Sequence, residues 1–254
     1  MQVVFVSHGA PTLALDQERG RELRSWAESL DKPRAILVVS AHWEAQAPTR
    51  GATQTMPLVY DFSGFPDELY KITYEAPGAP DLADRVQGLL EPAFERDPSR
   101  GLDHGAWVPL LHMFPAADVP VLQLSLVRGM SPKKLFALGQ KLAPLRNEGI
   151  LVMGSGGSVH NLREIDMSPA AATAYWANEF DAWIANTLAE GDTEGLLEYR
   201  SRAPEAQRAH PTPEHINPLF VAAGAASAGE HAIGFPIRGF DFGSLSRRCV
   251  QFGR

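Results

Sequence analysis

The chain contains a single cysteine, Cys249, among its 254 residues. One thiol cannot cross-link the fold and cannot by itself build a cysteine-type zinc site. Lysine and arginine form no run, and 23 basic against 30 acidic residues leave a net charge of -7. That balance excludes the electrostatic footprint needed for nucleic acid or an anionic membrane surface. No apolar run approaches the ~20 residues of a membrane-spanning helix. The opening segment, Met1 to Ser7, carries no basic residue ahead of its short apolar run and leads directly into His8-Gly9. It therefore reads as a strand rather than a secretory leader. Repeats and low-complexity tracts are absent as well. A chain with these absences is expected in the reducing cytoplasm, working without disulfides.

The remainder has ordinary globular composition, with hydrophobic residues at 44%, enough to bury a large core in one domain spanning 1–254. Short β-branched runs at 3–7, 35–40, 119–126 and 150–153 are mostly continuous rather than alternating. Continuous runs fit strands covered on both faces. Cys249 opens another strand-like stretch, Cys249-Val250-Gln251-Phe252.

Helical patterns lie between the runs. Asp16 opens one carrying Leu23, Trp26 and Leu30, and Asp81 opens one carrying Leu82, Val86, Leu89 and Leu90. Ser131-Pro132 and Ser168-Pro169 each pair an N-cap with proline at the first helical position. Segments 107–113 and 216–227 read as two more helices. This alternation predicts an α/β fold, a three-layer sandwich around a central, mostly parallel or mixed sheet. Two segments stand apart. Residues 51–77 are rich in aromatics and turn formers and read as a long functional excursion. Residues 198–213 are the most polar stretch and read as a surface connection.

Three histidines share one context. His8 follows the run 3–7, His42 follows 35–40, and His160 follows 150–153 and a glycine-rich turn. Sites in open α/β sheets form at the carboxyl ends of strands, so these three can converge although they are distant in sequence. Singly, each could merely end a strand. Together they suit a zinc or iron site, because neutral imidazole is the commonest metal ligand. His104, before the helix at 107, either faces a site or caps that helix. His215 and Glu214 follow two prolines that fix the chain. His112 and His231 read as structural or surface residues, and His210 as solvent-exposed.

The ordered segments Ser7-His8-Gly9-Ala10-Pro11, Ser40-Ala41-His42-Trp43, Asp103-His104-Gly105-Ala106-Trp107, Ser158-Val159-His160-Asn161-Leu162 and Pro211-Thr212-Pro213-Glu214-His215 cover nearly the whole chain. So do the aromatic loop Asp61-Phe62-Ser63-Gly64-Phe65-Pro66 and the tail Gly243-Ser244-Leu245-Ser246. In this order they resemble the DOPA-dioxygenase-like class III extradiol ring-opening dioxygenases. The resemblance implies cleavage of a catechol with O2 at one non-haem metal, Fe(II) when active and often Zn(II) in isolated protein. It implies His8, His42 and His215 as ligands, with Glu214 the rival for the third place. It implies His160 as catalytic base, also able to reach the metal, and His104 as a histidine beside the substrate. Tyr60, Phe62, Phe65 and Trp107 are expected to wall an apolar pocket for the ring.

Two other readings of the histidines compete. A zinc hydrolase could use the same ligands with His160 as base. A metal-storage protein would leave the segment around His104 unexplained. A serine hydrolase fits poorly, because Gly156-Gly157-Ser158-Val159-His160 lacks the closing glycine of the nucleophile elbow.

Overall fold

The computed structural model describes residues 1–168, 171–229 and 232–253. Four parallel strands form the centre of an eight-stranded mixed sheet. They are β1 (Val3–Ser7), β2 (Ala35–Ala45), β5 (Val121–Val127) and β6 (Ile150–Gly156), in the spatial order β5-β2-β6-β1. Beyond β5 the sheet continues through the two-residue strands β3 (Thr49–Arg50) and β4 (Glu95–Arg96). Beyond β1 it closes with β10 (Val250–Phe252) and β7 (Ile233–Gly234), both antiparallel to their neighbours. A small hairpin, β8 (Phe240–Asp241) with β9 (Leu245–Ser246), stands apart.

Period-two alternation sends successive side chains of each central strand into different layers. Val3 and Phe5 join one core cluster, and Val4 and Val6 join the other. Leu37 and Val39 divide from Ile36 and Val38 in the same way. The first cluster is covered by α2 (Pro80–Leu90), α4 (Pro132–Leu142), α5 (Tyr175–Glu190) and α9 (Asn217–Ala226). The second is covered by α1 (Gln17–Glu28) and α3 (His104–Met113). The three-layer α/β sandwich expected from the sequence is the architecture observed. Among the described residues, no helix is long and apolar enough to cross a membrane.

Local signals set several boundaries. The Asp16 carboxylate accepts from the N–H groups of Glu18 and Arg19 and caps α1. Ser131 caps α4 through the N–H of Lys134, with Pro132 at the first position. Other expectations are corrected. Proline at 80 places the α2 cap at Ala79, leaving Asp81 in the first turn. Helix α5 begins at Tyr175 rather than after Ser168, and Pro169 lies outside the described residues, as does His231. Residues 198–213 are not a simple surface connection. They form the short helices α7 (Tyr199–Arg202) and α8 (Ala206–Ala209), which follow α6 (Thr193–Leu197). Tyr199, Ala206 and Ala209 enter the core, and His210 is fully buried. Its Nε2–H donates to the Ser158 carbonyl at 2.9 Å, and Phe180 and Tyr199 stand edge-on to its ring.

Strand β2 runs on past residue 40 to Ala45, and its pairing with β5 shifts there. Val39 pairs with Leu124 and Glu44 with Leu126, so four residues, Ser40 to Trp43, face Ser125 alone. The irregular stretch contains His42. Such bulges re-aim side chains beside functional sites.

Candidate active site

The carboxyl ends of β1, β2 and β6 open on one cavity of about 270 Å³. His8 reaches it from the residue after β1, His42 from the irregular stretch of β2, and His160 from the loop after β6. His104 arrives at the first residue of α3, whose cap is Asp103 rather than His104. His215 arrives from the turn before α9. Ring centroids of His42 lie 4.9 Å from His8, 3.9 Å from His104 and 5.0 Å from His215. The His160 ring stacks on that of His215 at 3.4 Å, nearly parallel. Donor atoms of His8, His42 and His104 lie within 4.8 Å of one another, and so do those of His160, Glu214 and His215.

Hydrogen bonds fix which nitrogen each imidazole presents. Ser155 gives its hydroxyl proton to the Gly105 carbonyl, so its Oγ is left to accept from His8 Nδ1 at 3.0 Å. Ionised, Asp61 can only accept hydrogen bonds. Its Oδ1 takes the Nδ1–H of His104 at 2.7 Å, and its Oδ2 lies 3.2 Å from His42 Nδ1. Glu214 Oε1 accepts from His215 Nδ1 at 3.1 Å and from the Thr212 hydroxyl at 2.9 Å. In all four rings the proton sits on Nδ1, and Nε2 keeps its lone pair. Carboxylate and hydroxyl partners of this kind are the outer shell of histidine-bound metals.

The electrostatics agree. Burial, followed by the neighbouring histidines, pushes His8 and His215 well below the ordinary imidazole range. Burial also pushes His160 down to about 4, against the opposing pull of Glu214. Burial alone would raise Asp61, but the bonds from His104 and His42 outweigh it and hold the carboxyl far below its usual range. His8, His160 and His215 are therefore neutral imidazoles, and Asp61 is a fixed carboxylate beside them. His8 Nε2 and His42 Nε2 face each other at 3.0 Å. Two lone pairs that close repel unless a cation or a proton lies between them. The spacing is close to that of two nitrogens each ~2.0–2.1 Å from a shared ion. The donor set thus fits a metal.

Two glycines allow the approach. A Cβ at Gly105 would stand 2.5 Å from Ser40 Oγ and 2.9 Å from the His42 ring. One at Gly156 would stand 2.0 Å from the His215 carbonyl oxygen. Gly156 is thus required by close contact, while the N–H of Gly157 donates to that same carbonyl. Beyond the glycines, Asp181 of α5 accepts from Ser158 and Ser246 and is clamped by Arg248. This buried network fixes the loop leading to His160.

The sequence expectations divide. His8, His42, His104, His160 and His215 are brought together, and Phe62 and Phe65 line the cavity with them. Tyr60 and Trp107 stand behind that wall. Tyr60 donates to the Ile72 carbonyl, and Trp107 is wholly buried with its indole N–H toward Val59. His112 is structural, bonding the Leu13 carbonyl. Cys249 is buried, which pushes its thiol up to about 12 and leaves it inert. Asp61, Ser155 and Ser40 were not singled out from sequence. An acidic residue heading an aromatic excursion was the available sign for Asp61; serines at strand ends carry none.

The family described as the catalytic LigB subunit of aromatic ring-opening dioxygenase matches residues 2–237. The chain belongs to the LigB family. It is similar to the 4,5-DOPA dioxygenase extradiol of Beta vulgaris, 43% identical over 241 residues, covering 91% of this chain and 89% of that one. A relative of the same name from Escherichia coli K12 is 38% identical over 262 residues, covering 100% and 95%. A crystal structure of an uncharacterized Escherichia coli K12 protein superposes with a TM-score of 0.85 at 34% identity over the full length of both chains. Membership of the LigB family makes the chain an extradiol ring-opening dioxygenase and removes the ground for the hydrolase reading.

Proposed function

We propose that this LigB-family dioxygenase opens the ring of a catechol with O2 at a single metal held by His8, His42 and His215. The carrying observation is the set of Nε2 lone pairs turned inward, each backed by Ser155, Asp61 or Glu214. Glu214 is given the backing role, because its Oε1 accepts the Nδ1–H of His215 and so turns that ring's Nε2 inward. Fe(II) is the metal proposed for turnover, with Zn(II) able to occupy the same nitrogens in isolated protein; the iron supplies a Lewis acid and a one-electron donor toward oxygen.

The chain's own residues do the rest. His160 is neutral at physiological pH, since burial holds its pKa near 4, and it is placed at the cavity wall to take a proton from the diol. His104, with its Nδ1–H fixed on Asp61, is aimed to hydrogen-bond an oxygen in the cavity. Phe62 and Phe65 meet edge-to-face at 5.4 Å and exclude water from the ring. Both oxygen atoms enter the product, and the carbon–carbon bond beside the diol breaks to give a muconic semialdehyde-type compound. The relatives named 4,5-DOPA dioxygenase extradiol support the catechol class. The buried lone cysteine supports a cytoplasmic setting.

The test is anaerobic reconstitution with Fe(II), then oxygen uptake against a panel of catechols. Stoichiometric uptake with a ring-opened chromophore is expected. Hydrolysis of esters or amides without oxygen uptake would overturn the reading.

A further inference from the structure

Asp181 and Arg248 are both buried, and among the described residues no other lysine or arginine is. A buried ion pair gains little stability over a well-packed apolar pair, because both charges surrender water. What this pair supplies is a fixed acceptor. Arg248 Nε lies 3.0 Å from each oxygen of Asp181, and a second guanidinium nitrogen donates to Oδ2. Oδ1 also accepts the hydroxyl of Ser158 at 3.0 Å and that of Ser246 at 2.6 Å. The N–H of Ser246 in turn donates to the Val159 carbonyl at 3.3 Å. One carboxylate thereby holds both residues ahead of His160. The same arginine also reaches the end of β1, where its carbonyl accepts the hydroxyl of Ser7, the neighbour of His8, at 2.8 Å.

We propose that Asp181 is a positioning residue for His160: clamped by Arg248, it holds the loop at 158–159 through Ser158 and Ser246 and so sets where the imidazole stands in the cavity. The proposal rests on the reading of His160 as the base and extends it to residues outside the cavity's histidine cluster. The rings of His8, His42, His104 and His215 are each held by a partner at Nδ1. The His160 ring has no such partner among the described residues and lies flat on His215 at 3.4 Å. A stack of two rings fixes their separation but not their sideways offset. The backbone therefore decides where the His160 nitrogens stand, and it is tied to the Ala209 carbonyl at 160 and to Asp181 just before it. A base must stand within hydrogen-bond reach of the proton it takes, and a displacement of about 1 Å from a distant change can cost about 10²-fold in rate.

The experiment uses Ser158→Ala, which cuts one link and leaves the ion pair whole; replacing Asp181 would strand the Arg248 charge and can unfold the chain. With Fe(II) and catechol, kcat is expected to fall about 10- to 100-fold, with KM and the affinity for Zn(II) within about twofold of wild type. In a His160→Ala background the same substitution is expected to cost less than about twofold, because the group it positions is gone. In Zn(II)-loaded protein labelled with 15N-histidine, the imidazole signals of His160 are expected to move while those of His8 and His42 stay in place. An equal loss of kcat in both backgrounds, or Zn(II) affinity falling in step with kcat, overturns the proposal. His160 signals that do not move overturn it whatever the turnover. Moved His160 signals in a protein whose wild type takes up no oxygen with any catechol overturn the ring-opening reading and leave the positioning role standing.

Discussion

Asp61 and His104 are joined twice. One carboxylate oxygen, Oδ1, accepts the backbone N–H of His104 at 3.1 Å and its Nδ1–H at 2.7 Å. The other oxygen lies against Nδ1 of His42. One side chain from the long excursion therefore orients a proposed ligand and a proposed substrate-contacting histidine together.

Asp61→Asn keeps the size of the side chain but replaces one acceptor oxygen with a donor. The two Nδ1–H groups can no longer both be satisfied. Metal affinity is expected to fall about 10- to 100-fold, the usual cost of losing such a partner. A competition titration against a chromophoric chelator measures this. Affinity equal to wild type would remove Asp61 from the centre's support.

His160→Ala separates base from ligand. The loss of a base is expected to lower turnover about 10²–10⁴-fold. Bound metal should stay near wild type, because His8, His42 and His215 remain. Metal content and oxygen uptake on the same preparation decide the matter. Metal falling in step with activity would make His160 a ligand.

Gly156→Ala places a methyl against the His215 backbone carbonyl, which cannot move without moving α9. Destabilisation of about 3 kcal/mol is expected, together with reduced metal retention. Urea unfolding with and without Zn(II) measures both quantities. An unchanged midpoint would contradict the close contact.

Acid should weaken the fold through His210. Burial pushes its pKa down to about 3, more strongly than the Ser158 carbonyl raises it. In the unfolded chain it titrates near ~6.5. Its folded value is the lower one, so its contribution is complete above ~6.5 and is lost as pH falls toward 3. His210→Gln retains a donor for Ser158 and removes the titration. Metal-free wild type should lose melting temperature between about pH 6.5 and 5, before most carboxylates protonate, and the variant should lose less. Parallel slopes would show that the burial of His210 does not matter to acid stability.

Much of this was legible in the sequence. Val3 to Ser7 reads as a strand covered on both faces and is one. Strand-end position alone gathered His8, His42 and His160. The sequence was less informative where tertiary contact decides. His210 sits in a polar stretch, and only the packing of Phe180 and Tyr199 buries it. Trp107 has the composition of a pocket wall, but α3 turns it into the core. The irregular pairing that aims His42 leaves no mark, because Ser40 to Trp43 keep a strand-like pattern. The edge strands β4 and β7, and β3 beside β4, are two residues long, too short for any periodicity to show.

The strand order β2-β6-β1 has a kinetic consequence. His8 and His42 belong to the first strands synthesised, yet β6 must lie between them before their side chains can face each other, and His215 follows later still. The contacts of the histidines with one another are all long-range in sequence, and such contacts form slowly because the intervening chain must first be ordered. A nascent chain released before His215 holds an incomplete set of nitrogens. The centre is thus among the last features to mature, so the proposed metal would be held only by a chain that has finished folding.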